Sequence, residues 1–103
     1  MKLMDKDKRH KYMEQHLRMK IAYQIKLLRL QREITQKQLA DLVAVNLKDI
    51  AKAEDWDAPF PALEVLTKIA HAFDCALSVR FDGWDEVVET LVPEWVEQIA
   101  QDA

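Results

Sequence analysis

The chain holds one glycine, three prolines and one cysteine in 103 residues, and each scarcity excludes something. A single glycine leaves no glycine-rich loop to cradle a nucleotide phosphate. Few glycines and prolines mean few loops, which favours helices. The lone Cys75 can form neither an intramolecular disulfide nor a cysteine-based metal site. Set in the apolar stretch of residues 72–77, it is predicted to be a buried thiol. No apolar run approaches the ~18 residues of a membrane span, and the charged N-terminus is not followed by the apolar core of a signal peptide. The expectation is a cytoplasmic protein with no membrane partner.

Catalytic and metal-binding groupings are equally scarce. His10, His16 and His71 lie scattered, without the paired spacing of a metal site. The acidic pair Asp85-Glu86 suits the first turn of a helix, where negative charge meets the positive end of the backbone dipole. The three tryptophans fit a core or an interface. The reading is a non-enzyme with no cofactor and no metal.

What is present is a division of charge. Residues 1–52 carry 13 Lys/Arg against 6 Asp/Glu, a net +7, and residues 53–103 carry 2 against 12, a net −10; together they give the formal −3. Such an asymmetry suggests one face for a polyanion and another for a different partner.

The length supports one domain with a modest core. Three segments are predicted: a basic N-terminal arm or helix over 1–16, a helical domain over 17–74, and an acidic segment over 75–103. Leu17, Ile21, Ile25 and Leu28 recur at helical steps and predict a helix with one buried face, ending near Glu33. Thr35 and Gln38 form a capping-box pattern that starts a second helix, about Gln36 to Val43, with Leu39, Ala40 and Val43 inward. Asn46, followed by Asp49, caps a third, about Leu47 to Glu54, with Ile50 and Ala53 inward. Residues 54–61 form the main loop, and Pro61 is expected at the first position of a fourth helix carrying Leu63, Leu66, Ile69, Ala70 and Phe73. Leu77, Val79 and Phe81 then alternate with polar or small residues, predicting a short strand over 76–81. Trp84, Val88, Leu91, Trp95 and Ile99 predict an amphipathic helix bent at Pro93.

The window from Thr35 to Glu54 carries the function. Two short helices joined by a tight turn need a small residue at their crossing, which Ala40 supplies, and apolar side chains between them, which Leu39, Val45 and Ile50 supply. A capped second helix can present its N-terminal end to a major groove. The run Gln36-Lys37-Gln38-Leu39-Ala40-Asp41-Leu42-Val43, the turn, then Ile50 and Glu54, resembles the lambda-repressor-like (XRE) helix-turn-helix family. Residues 21–29 resemble that family's first helix, and residues 63–81 its fourth helix and a following strand; the resemblance covers about residues 17–83. It implies a mainly α, lambda-repressor-like helix-turn-helix bundle with one short C-terminal strand and C-terminal helices, the strand paired across a dimer.

The resemblance also implies roles. Gln36 and Lys37 would meet phosphate at the start of the first of the two helices. Asn46, Leu47 and Lys48 would face the bases, Leu47 toward a thymine methyl and Lys48 toward a guanine edge or a phosphate. Lys52, one turn later, would meet phosphate. Two positions depart from the family pattern. Ala44 stands where glycine is usual, costing about 1 kcal/mol if the left-handed turn is kept. Leu47 stands where a polar base-reader is usual.

A single recognition helix reads few base pairs, so a homodimer on a palindromic operator in double-stranded DNA is expected. Leu77, Val79, Phe81, Trp84 and Trp95 are the predicted dimerisation residues, the strand edge pairing across a two-fold axis. The expected function is a transcriptional regulator, a repressor by this reading. Two other readings stand beside it: an antitoxin that binds operator DNA and, through its acidic half, a basic protein toxin; and a protein-interaction module that has lost DNA binding.

Overall fold

The computed structural model describes residues 5–86. Four helices make up its body: α1 (Lys6–Gln31), α2 (Gln36–Val43), α3 (Leu47–Ala53) and α4 (Leu63–Ala72). The fold is therefore mainly α. Helix α1 is a single rod of 26 residues, capped by the Asp5 carboxylate on the Lys8 amide. It runs through residue 16 without a break, so the basic leading segment and the first predicted helix are one element.

One core holds the helices together. Leu39, Val43, Ile50, Ala53, Ile69 and Phe73 are buried with Ile25 and Ala40, and Ile21, Leu28, Val45 and Leu66 pack against them. Leu39 and Ile50 are completely enclosed. Ala40 is buried too, as expected of a small residue in a tight helix pair. Two expected core residues lie elsewhere. Leu17 is 47% exposed and Leu63 60% exposed, so neither joins the enclosed cluster.

Short-range chemistry sets the helix starts. The capping box of α2 is complete: Thr35 Oγ1 accepts from the Gln38 amide at 3.1 Å, and Gln38 Oε1 accepts from the Thr35 amide at 2.8 Å. Asn46 has the extended backbone of an N-cap but makes no side-chain cap bond, so α3 lacks the box expected there. The N-cap of α4 is Ala62, which places Pro61 one residue ahead of the cap rather than at the first helical position. Ala62 supplies the first carbonyl acceptor, for the Val65 and Leu66 amides.

The helix ends solve the shortage of glycine without glycine. Glu33, Ala44 and Asp74 take positive φ, of 55°, 58° and 51°. Each closes the same pair of bonds: Ile34 and Glu33 amides to the Arg29 and Leu30 carbonyls, Val45 and Ala44 to Ala40 and Asp41, Cys75 and Asp74 to Ala70 and His71. This is the Schellman arrangement, which satisfies carbonyls orphaned at a helix end.

Beyond Asp74 the chain leaves the core, and one expectation is corrected there. Cys75 is exposed, because the left-handed Asp74 redirects the chain away from the apolar cluster. Residues 76–81 have no regular secondary structure: a strand needs a ladder, and no second strand lies among the described residues. Trp84, Asp85 and Glu86 are helical. Trp95 and the bend predicted at Pro93 lie outside the described residues.

Candidate nucleic-acid interface

Helices α2 and α3 are separated only by Ala44, Val45 and Asn46. The left-handed Ala44 reverses the chain, and Val45 returns its side chain toward the core. This sharp turn lets Leu39 and Ala40 of α2 meet Ile50 and Ala53 of α3. Burying one side of a seven-residue helix fixes what the other side offers. Leu47, Lys48, Ala51 and Lys52 are exposed, while Asp49 is half-buried. The two lysines stand four residues apart and so share one face.

The predicted contact residues are distributed unevenly. Lys37, Asn46, Leu47, Lys48 and Lys52 are all exposed. Gln36 is not a free side chain: it is half-buried, and its Nε2 donates to Glu54 Oε1 at 3.3 Å. Gln36 and Lys37 occupy the first two positions of α2, where backbone N–H groups have no acceptor within the helix.

Behind this surface sits a polar network that the sequence reading missed. Arg29 of α1 donates from Nε to Glu54 Oε2 at 2.7 Å, from Nη2 to Glu54 Oε1 at 3.0 Å, and from Nη1 to the Ile34 carbonyl at 2.8 Å. The Arg29 and Glu54 side chains are only 11% and 3% exposed. The hydrogen bond to Glu54 and its negative charge raise the Arg29 pKa, against the opposing effect of desolvation. Charged and bidentate bonds of this kind are the strong class. The network joins the end of α1, the start of α2 and the end of α3 at one point.

A signal for it was available. Arg29 lies four residues after Ile25 and Glu54 four after Ile50, so each shares the face of a core residue. A buried position for one charge calls for the other.

Arg32 makes a second tie. Its Nη2 donates to the Phe73 carbonyl at 2.9 Å, and its guanidinium lies 4.6 Å from the Phe73 ring centroid. Arg18 stands 4.9 Å over the Phe60 ring and pins the loop between α3 and α4 to α1. These arginines are occupied by the protein itself, which leaves the lysines as the freer cations.

The predicted dimerisation residues fall in two groups. Leu77, Val79 and Phe81 are exposed, with Phe81 bare on every side. Trp84 is half-buried against its own chain, with Arg9 4.8 Å over its ring and His10 edge-on at 5.2 Å.

Among the described residues no group of three or more His, Cys, Asp or Glu is placed to hold a metal ion, and no helix is long and apolar enough to cross a membrane. No protein-family model, curated protein or solved structure matches the chain.

Proposed function

We propose that the chain is a sequence-specific DNA-binding regulator of the lambda-repressor-like helix-turn-helix kind, with α2 and α3 as its two helices and α3 as the reader. The observation that supports this most is the two-sidedness of α3: Ile50 and Ala53 are buried, while Leu47, Lys48 and Lys52 are exposed together. A short helix held rigidly by one face and cationic on the other suits insertion into a major groove. Leu47 then meets a thymine methyl, Lys48 a base edge, and Lys52 and Lys37 phosphates. Asn46 opens the helix toward the groove.

The same reading makes the active species a homodimer acting as a repressor on a palindrome. Leu77, Val79 and Phe81 are large apolar side chains at alternate positions, all left exposed by the single chain. Pairing residues 76–81 with the same segment of a second copy supplies the missing ladder and covers that row.

The test is selection of bound sequences from a random duplex pool, followed by salt titration of the best binder. A palindromic consensus, with affinity falling by orders of magnitude from low to moderate salt, is the expected result. Failure to bind any duplex at low salt sinks the proposal. It would favour a protein-interaction module, a reading supported by exposed Leu47 on α3 and Leu42 on α2. An antitoxin role adds one requirement: a basic protein that binds the acidic half while the DNA face stays functional.

A further inference from the structure

Helix α1 carries two stripes rich in apolar side chains. One, through Ile21, Ile25 and Leu28, faces the core. The other runs Tyr12, His16, Met19, Tyr23, Lys26, Leu30, at steps of four, three, four, three and four. That spacing averages 3.6 residues, one helical turn, and keeps the side chains on one strip, a seam of the kind by which helices pair. It lies on the opposite side of the helix from the core stripe. Tyr12 is 46% exposed, Met19 53%, Tyr23 62% and Leu30 51%. Trp56 walls its N-terminal half, enclosing with Tyr12, Gln15, His16 and Met19 a shallow cavity of about 170 Å³.

Charge selects what can cover this strip. Helix α1 holds eight Lys/Arg and two Asp/Glu, so a second α1 would be repelled. Residues 87–103 hold four Asp/Glu and no Lys/Arg, with Val88, Leu91, Trp95 and Ile99 apolar at steps of three, four and four. Length agrees as well. At 1.5 Å per residue, Tyr12 to Leu30 spans about 27 Å, a distance within the reach of 17 residues of chain. The starting point is also in place. Trp84 is held by Arg9, three residues before Tyr12 and next in the same series of positions.

We infer that the Tyr12–Leu30 seam of α1 is the docking face for the chain's own residues 87–103, which lie along it in cis. The apolar members of that segment meet Tyr12, Met19, Tyr23 and Leu30, and its carboxylates meet the lysines beside them. The acidic end thereby screens the basic N-terminal extension. This inference stands whether or not α3 binds DNA.

Carbodiimide coupling, which joins a carboxylate directly to a lysine amine, tests it on an equal mixture of ordinary and nitrogen-15-labelled full-length chains. Mass spectrometry of the coupled monomer should find Glu89, Glu94 or Glu97 joined to Lys20 or Lys26. The Glu64–Lys68 pair, 3.7 Å apart, serves as internal control. Met19→Glu with Tyr23→Glu should reduce the long-range links several-fold and leave the control link unchanged. Val88→Glu with Leu91→Glu should do the same without touching α1. The inference is overturned if the control link forms without the long-range ones, or if both paired variants keep them. Links found only between chains of unlike isotope also overturn it, because the occupant would then be a second copy.

Discussion

The Arg29 guanidinium grips both carboxylate oxygens of Glu54, at 2.7 and 3.0 Å, across 25 residues of chain. This pair is the polar counterpart of the Leu39–Ile50 core. It fixes the end of α3 against α1, and Glu54 also receives the Gln36 amide. Together with the packing of Ile50 and Ala53 in the core, the pair holds the helix that carries Lys48 and Lys52.

Glu54→Ala leaves the part-buried Arg29 without its partner. Breaking a fully buried pair in this way costs about 3 to 5 kcal/mol; this part-buried pair should cost less than that, still a sizeable share of the stability of a small domain. Urea denaturation should register it as a lower midpoint. Replacing both residues, with Arg29→Met and Glu54→Leu, should recover much of the loss, since no lone charge remains. The sign of the Arg29 shift sets its pH dependence. A cation whose pKa is raised in the fold contributes stability below its unfolded value, and loses it only as pH climbs through the raised one. Arg29 titration therefore leaves the neutral range flat.

Ala44 sits at φ 58° and ψ 45°, where a Cβ is disfavoured. Ala44→Gly removes that penalty, so the protein should gain up to about 1 kcal/mol, the cost of an alanine in the left-handed region. For a domain of this size that corresponds to a rise of roughly 4–8 °C in Tm. Ala44→Val should move Tm the other way, because a β-branched side chain is a worse fit there. An unchanged or lower Tm for the glycine variant in calorimetry would contradict the strained turn.

Thr35→Ala removes the hydroxyl that accepts from the Gln38 amide. The expected loss is about 1 kcal/mol, and Thr35→Ser should restore most of it. Thermal unfolding followed by circular dichroism at 222 nm distinguishes the two variants.

Lys48 and Lys52 should separate in DNA binding. Lys52→Ala should weaken binding to all sequences alike and lower the salt slope by about one unit, as expected for one lost phosphate contact. Lys48→Ala should change which sequences are selected. Identical behaviour of the two variants in a competition assay would remove the assignment of Lys48 to a base edge.

The sequence by itself determined the local elements and much of the core. Helical periodicity placed Ile21, Ile25 and Leu28 on one face, and Thr35 with Gln38 fixed the start of α2. Leu39, Ala40 and Ile50 identified themselves as the packing between two short helices. These features are readable because they depend on neighbours within a turn or two of chain. The exposure of Lys48 and Lys52 follows from the same period, since the positions beside Ile50 and Ala53 were already taken.

Only the tertiary structure decided what depends on distant residues. Leu17 and Leu63 have core-like spacing but stay outside the enclosed cluster, and no local pattern marks where a neighbouring helix stops. Cys75 has apolar neighbours in sequence yet lies exposed, because the backbone at Asp74 turns the chain outward. Residues 76–81 alternate like a strand, but a strand exists only with a partner ladder. The Arg29–Glu54 pair belongs to the same class: its two charges each sit one turn from a core residue, and only the crossing of α1 and α3 makes them one bidentate contact.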